Sequence, residues 1–199
     1  IKKDDTQNAK KYIEEGLKVI SDFRIKNEKN MNPIVFEAKT LEAIEKLAYL
    51  KDYPDEEGLS RIGNYVFLTV NEIDINHDGI PDQWKNLTPD NAEVMIENGF
   101  IAAKKTSESA SGVMQTRNFN LEKGKKYRLE LVLDNDVKEV SYQLMNYHNK
   151  YQKFEKTGEG TFSAVIDMKS EDINSNGYSV RLRIDKDLVI KSLTVTQVS

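Results

Sequence analysis

Between residues 127 and 133 the chain alternates: Tyr127, Leu129, Leu131 and Leu133 are apolar, while Arg128 and Glu130 are charged. A side-chain period of two is the mark of a strand with one face buried and one face wet. The same alternation returns at Val140, Tyr142 and Leu144, at Phe162, Ala164, Ile166 and Met168, and at Tyr178, Val180, Leu182 and Ile184. Apolar runs at 94–96, 100–103, 113–119 and 188–195 extend the series. Residues 122–124, 157–160 and Asn176-Gly177 carry turn chemistry between them. About eight strands at this even spacing predict an antiparallel sandwich over residues 87–199.

The first seventy residues have a different texture. Ala9, Ile13, Leu17 and Ile20 recur at helical spacing behind Thr6 as a cap, which predicts a surface helix. The run of residues 33–38, β-branched at its centre, reads as a buried strand. Thr40 then caps a helix over 41–50, striped by Leu41, Ile44, Leu47 and Ala48 and stopped at Asp52-Tyr53-Pro54. With the apolar run 65–70, the order suggests a small α/β portion over 1–70, a linker loop over 71–86 and the sandwich beyond it. The fold class expected is therefore mixed: an α/β N-terminal portion joined to an antiparallel β-sandwich of jelly-roll type.

At the seam stands DINHDGIPDQW, residues 74–84. Asp74, Asn76, Asp78 and Asp82 occupy positions 1, 3, 5 and 9 of a cation loop, Gly79 takes the turn at position 6, and Ile80 offers a backbone carbonyl at position 7. Three carboxylates within nine residues repel one another unless a cation joins them, which favours Ca²⁺ over a merely solvated Asp/Asn/Gly turn. Position 12 is Lys85 where an EF-hand has a bidentate Glu, and His77 falls at a position that does not ligate.

These residues resemble the single thrombospondin type 3-like calcium repeat, of the form DxDxDGxPDxW, that secreted bacterial surface proteins and polysaccharide-active enzymes place before a β-sandwich. Asn76 and Lys85 depart from it. Residues 119–127 are similar to a strand entry, of the form v.pGk.Y.l, of carbohydrate-binding-module jelly rolls, and residues 187–196 to their closing strand. The resemblance implies a calcium-stabilised, secreted or cell-surface protein that binds polysaccharide, cell-wall glycan or another surface partner. Residues 1–70 are similar, more loosely, to the end of a polysaccharide deacetylase-type α/β domain, whose HxxxH and Asp-Asp metal site has no counterpart here.

Composition narrows the function classes. With 29 Lys+Arg against 33 Asp+Glu the net charge is -4, so no basic field marks a nucleic-acid binder. No apolar run approaches the ~20 residues of a membrane span. Cysteine is absent, which excludes disulfides and thiolate sites and leaves the redox compartment undetermined; secreted proteins of Gram-positive bacteria commonly manage without it, and export from such a bacterium is the expectation. The start at Ile1 suggests a processed chain or a piece of a longer one. The two histidines, His77 and His148, lie beside no GxSxG elbow, and neither GxGxxG nor a Walker loop is present.

For sugar binding, exposed aromatic rings beside amides are the needed chemistry. Tyr147, Tyr151 and Phe154 fall with Asn149 in a polar run and are the candidates; packing over the sandwich edge is the competing reading. Tyr142 is in phase with the core, and Trp84 reads as an anchor for the loop. The expectation is a non-catalytic module. Two alternatives stay open: the C-terminal part of a deacetylase or glycoside hydrolase whose active site lies upstream, and a structural or adhesion spacer.

Overall fold

The computed structural model describes residues 33–53, 56–71, 74, 78–169 and 177–198, together with Lys11, Glu15, Gly16, Lys18, Val19 and Asp22. Helix α1 spans Pro33–Asp52 and α2 spans Glu56–Ile62. The strands are β1 (Tyr65–Leu68), β2 (Trp84–Asn86), β3 (Ala92–Glu97), β4 (Phe100–Lys105), β5 (Gly112–Thr116), β6 (Lys126–Leu133), β7 (Ser141–Leu144), β8 (Gln152–Lys153), β9 (Glu155–Gly158), β10 (Thr161–Asp167), β11 (Val180–Ile184) and β12 (Leu188–Val198).

They form two antiparallel sheets. One has the order β3-β4-β12-β6-β10-β9, with β1 also paired to β12; the other has the order β2-β5-β11-β7-β8. The period-two residues do what their pattern requires: Tyr127, Leu129, Leu131 and Leu133 of β6 face Val180, Leu182 and Ile184 of β11 in one buried cluster. Each such large apolar side chain contributes about 1.5–3 kcal/mol on leaving water. Tyr142 is core, as its phase demands, and burial pushes its phenol up to about 12. Among the described residues no helix is long and apolar enough to cross a membrane.

The N-terminal segment departs from expectation in two ways. The run 33–38, expected as a strand, is the first part of α1. Proline suits the first helical position because its missing N–H is not needed there, and Glu37, Ala38 and Lys39 then favour helix; four apolar residues in a row do not distinguish the two states. Secondly, β1 belongs to the sandwich: Tyr65 is opposite Thr196 and Phe67 opposite Val195. The described part of residues 1–70 thus supplies two helices and a strand that completes the larger sheet. Lys11, Glu15, Gly16, Lys18, Val19 and Asp22 are helical; Ala9, Ile13, Leu17 and Ile20, on which the first helix was expected, lie outside the described residues.

Candidate functional site

The loop at 74–82 is organised around its first residue. Asp74 accepts hydrogen bonds from the amides of Asp78 (3.2 Å) and Gly79 (3.0 Å), and Asp78 accepts from the amide of Ile80 (2.8 Å). Gly79 has φ +83, a left-handed turn that a side chain would strain. These bonds wrap positions 5, 6 and 7 round the carboxylate at position 1. Asp82 is buried, and Asn76 and His77 lie outside the described residues. Among the described residues no three acidic or imidazole side chains converge, so Asp74, Asp78 and Asp82 form no cage by themselves. The side-chain donors at 74, 78 and 82 are all carboxylate oxygens, the atom type that a hard cation prefers.

Lys85 departs from the calcium pattern for a structural reason: it is the centre of β2, exposed and paired with Gln115. Hydrogen bonds of Gln83 close the base of the loop. The side-chain amide of Gln83, fully buried, donates to the Leu68 carbonyl (2.6 Å) and accepts from the Val70 amide (2.7 Å). Its backbone carbonyl accepts from the Arg117 amide (2.6 Å). Trp84 anchors this joint, 3% exposed and edge-on to Phe67 at 6.2 Å.

Above the same joint, α1 docks through a buried ion pair. Glu45 and Arg117 are 1% and 7% exposed, and Arg117 Nε and Nη2 donate to the two carboxylate oxygens of Glu45. Burial pushes the Glu45 carboxyl up, against the pull of Arg117 and Gln83. The guanidinium also lies over the Phe67 ring, 5.3 Å from its centroid.

The four aromatic-run candidates do not converge. Phe154 is core, stacked at 4.3 Å on Tyr142. Tyr147 is half-buried, its hydroxyl donating to the Asp167 carbonyl at 3.2 Å. Asn149 is exposed in the turn after it. His148 supports that turn: its Nδ1 accepts the Leu144 amide at 3.2 Å, and burial holds its pKa below 6.5. Tyr151 alone of the rings takes part in a surface with polar depth. It stands just before β8 at the parity of Lys153, the outward residue opposite Ser141; burial raises its phenol, and Arg181 and Arg183 draw it down.

That outer face was not singled out from the sequence. Register aligns Lys85, Gln115, Arg181 and Gln143 in one row across β2, β5, β11 and β7. A second row runs Val113, Arg183, Ser141 and Lys153 across β5, β11, β7 and β8. Arg181 Nε donates to Gln115 Oε1 (2.6 Å), and Gln143 donates to the His148 carbonyl (2.8 Å), so the amides are held in place. Beside the second row, Ser141 and Arg183 help to line a pocket of about 240 Å³ with Lys138 and Lys186. The signal that could have found this face is Val180-Arg-Leu-Arg-Ile184, whose two outward positions are both arginine.

No protein-family model matches the chain, and no curated protein does. Among solved structures, the chain is similar to the CBM1 of BiXyn10A in its apo form, at 11% identity and TM-score 0.49, covering 67% of this chain and 98% of that one. It is similar to the CBM22-2 xylan-binding domain of Paenibacillus barcinonensis Xyn10C, at 12% identity and TM-score 0.44, covering 67% and 99%. It is also similar to the CBM22-1 and GH10 modules of Clostridium thermocellum xylanase 10B complexed with xylohexaose, at 14% identity and TM-score 0.44, covering 68% and 29%. By their names these structures are, or contain, carbohydrate-binding modules. Likenesses of this strength leave function to the geometry of the chain itself.

Proposed function

We propose that the chain is a non-catalytic polysaccharide-binding module whose binding surface is the outer face of the five-stranded sheet. The row Lys85-Gln115-Arg181-Gln143, with Tyr151 at the outward parity of Lys153 beside β8, carries this reading. Fixed amides and guanidinium groups recognise sugar hydroxyls, and a tyrosine ring offers a face to a pyranose. The surface is open, so it suits an extended chain rather than a small ligand. Titration calorimetry of the full chain against a panel of soluble polysaccharides tests the proposal. One or more polymers should bind, and Tyr151→Ala should weaken that binding by about tenfold, the weight of one lost ring contact and its neighbours. Silence across the panel overturns it.

The joint at 74–82 is, in the same reading, a calcium loop, with Asp74, Asn76, Asp78, the Ile80 carbonyl and Asp82 as its oxygens. The cation supplies charge neutralisation and rigidity there, and the hydrogen bonds of Asp74 and Asp78 hold the loop ready for it. Without a carboxylate at position 12 the site would be weak, of the order of 10⁻⁴–10⁻³ M as in extracellular modules. Such a site fills only where calcium is abundant, which supports a place outside the cell, in a secreted or surface-attached protein.

A further inference from the structure

We infer that the polysaccharide bound by this face is acidic, a chain bearing carboxylates, and that Arg181 and Lys85 are the residues that select it. The inference rests on the proposed glycan-binding face and concerns its charge. The chain as a whole is acidic, at -4. Yet four outward positions of the five-stranded sheet are cationic, Lys85, Arg181, Arg183 and Lys153, and none of its outward strand positions is a carboxylate.

Two of the four are answered at the rim. Arg183 Nε lies 3.0 Å from Asp185, and Lys153 Nζ lies 2.7 Å from Glu139. Among the described residues Lys85 and Arg181 have no carboxylate partner. They stand in the same row, two strands apart, which is roughly 9.5 Å. The neutral amide of Gln115 sits between them and takes the Arg181 Nε hydrogen. It orients the guanidinium without cancelling its charge. The terminal nitrogens are then left as two parallel donors, the fork that matches a planar two-oxygen group.

The opposite face of the sandwich shows the contrast. There Lys126 meets Asp167 at 3.6 Å and Lys104 meets Glu97 at 2.8 Å, each cation beside an acid on a neighbouring strand. An excess of charge confined to one face, and aligned with the amides and the tyrosine already placed there, is complementary to an anionic chain lying across the strands.

The test uses the full chain and two polymers with one backbone, carboxymethylcellulose and hydroxyethylcellulose, in affinity electrophoresis and calorimetry at low and high salt. The charged polymer should bind more tightly than the neutral one by about tenfold or more, and salt should narrow the gap. Arg181→Gln and Lys85→Gln should each remove most of that preference, while Arg128→Gln, an exposed cation of the other sheet, should leave it intact. Melting temperatures near that of the parent chain confirm that the variants fold. Equal binding of both polymers, lost together in Tyr151→Ala, overturns the acidic assignment and leaves the glycan-binding face standing. Binding of neither, with the wider panel also silent, overturns both. Tighter binding of dextran sulfate or of a single-stranded oligonucleotide than of carboxymethylcellulose overturns the carboxylate assignment, as does an Arg128→Gln effect equal to that of Arg181→Gln.

Discussion

Arg117 and Arg181 carry the same guanidinium, one just past β5 and the other on β11, its neighbour in the sheet, and the molecule treats them oppositely. Arg117, just beyond β5, is buried at the dock of α1 and answered by both oxygens of Glu45. Arg181, on β11, lies on the outer face and is answered by the neutral amide of Gln115. A charge removed from water must be closed by an opposite charge and hydrogen bonds, or it costs several kcal/mol. A charge left in water needs only to be aimed. The first arrangement is architecture; the second keeps its charge for something outside the molecule.

This contrast breaks most sharply at Glu45. Glu45→Ala leaves Arg117 buried and unanswered and should lower stability by about 3–5 kcal/mol, read as a fall in the urea midpoint. Replacing both, Glu45→Leu with Arg117→Met, should recover most of the loss, because the desolvation cost goes with the charges. A double variant as unstable as the single one would show that the pair itself, and not its completeness, is what matters.

Next in size is the loop beneath the dock. At calcium a hundredfold above its dissociation constant, a site in the folded chain adds about 2.7 kcal/mol, so EDTA should lower the melting temperature by about 5–10 °C. Asp74→Ala should melt alike with and without calcium. An identical melt of the parent chain in EDTA and in calcium would remove the metal from the account.

Arg181→Gln should change stability by about 0.5 kcal/mol or less, since the side chain is partly solvated and its loss leaves no buried charge behind. Its effect belongs in binding, the reverse of Glu45→Ala. A large fall in the melt would make Arg181 a second architectural arginine.

The smallest effect is a pH slope at His148, whose ring meets Tyr142 and Tyr147 edge-on. His148 has a folded pKa below its ordinary 6.5, so its contribution to stability is full above 6.5 and is lost as pH falls through the lower folded value. Protonation also ends its acceptance of the Leu144 amide. Melts between neutral and acid pH should show a decline that His148→Gln lacks.

Much of the sandwich was legible because period two records burial directly: the alternating runs at 127–133 and 162–168 are β6 and β10 to within a residue or two. Residues 33–38 misled because a short apolar run carries no period, and only the helix continuing behind it decides. Phe154 misled for the opposite reason, since its neighbours in sequence are polar while its ring packs on Tyr142 of the adjoining strand. The turn that Asp74 and Asp78 hold was legible as a loop because its residues are contiguous. The cationic row was not, because Lys85, Gln115, Arg181 and Gln143 lie on four separate strands that only register brings together.

The position of β12 sets the order in which the larger sheet can be made. It lies between β4 and β6, and β1 waits for it as well, with Phe67 facing Val195 across nearly the whole described chain. The β3-β4 hairpin and the β6-β10-β9 group can each form as local pairs, but until residues 188–198 exist they have nothing to join them. Closing such long loops is slow, and hairpins waiting with open edges are exposed to wrong partners. Synthesis therefore leaves the larger sheet in two unjoined parts until β12 emerges, so truncations that remove β12 should yield aggregating chains rather than a smaller domain.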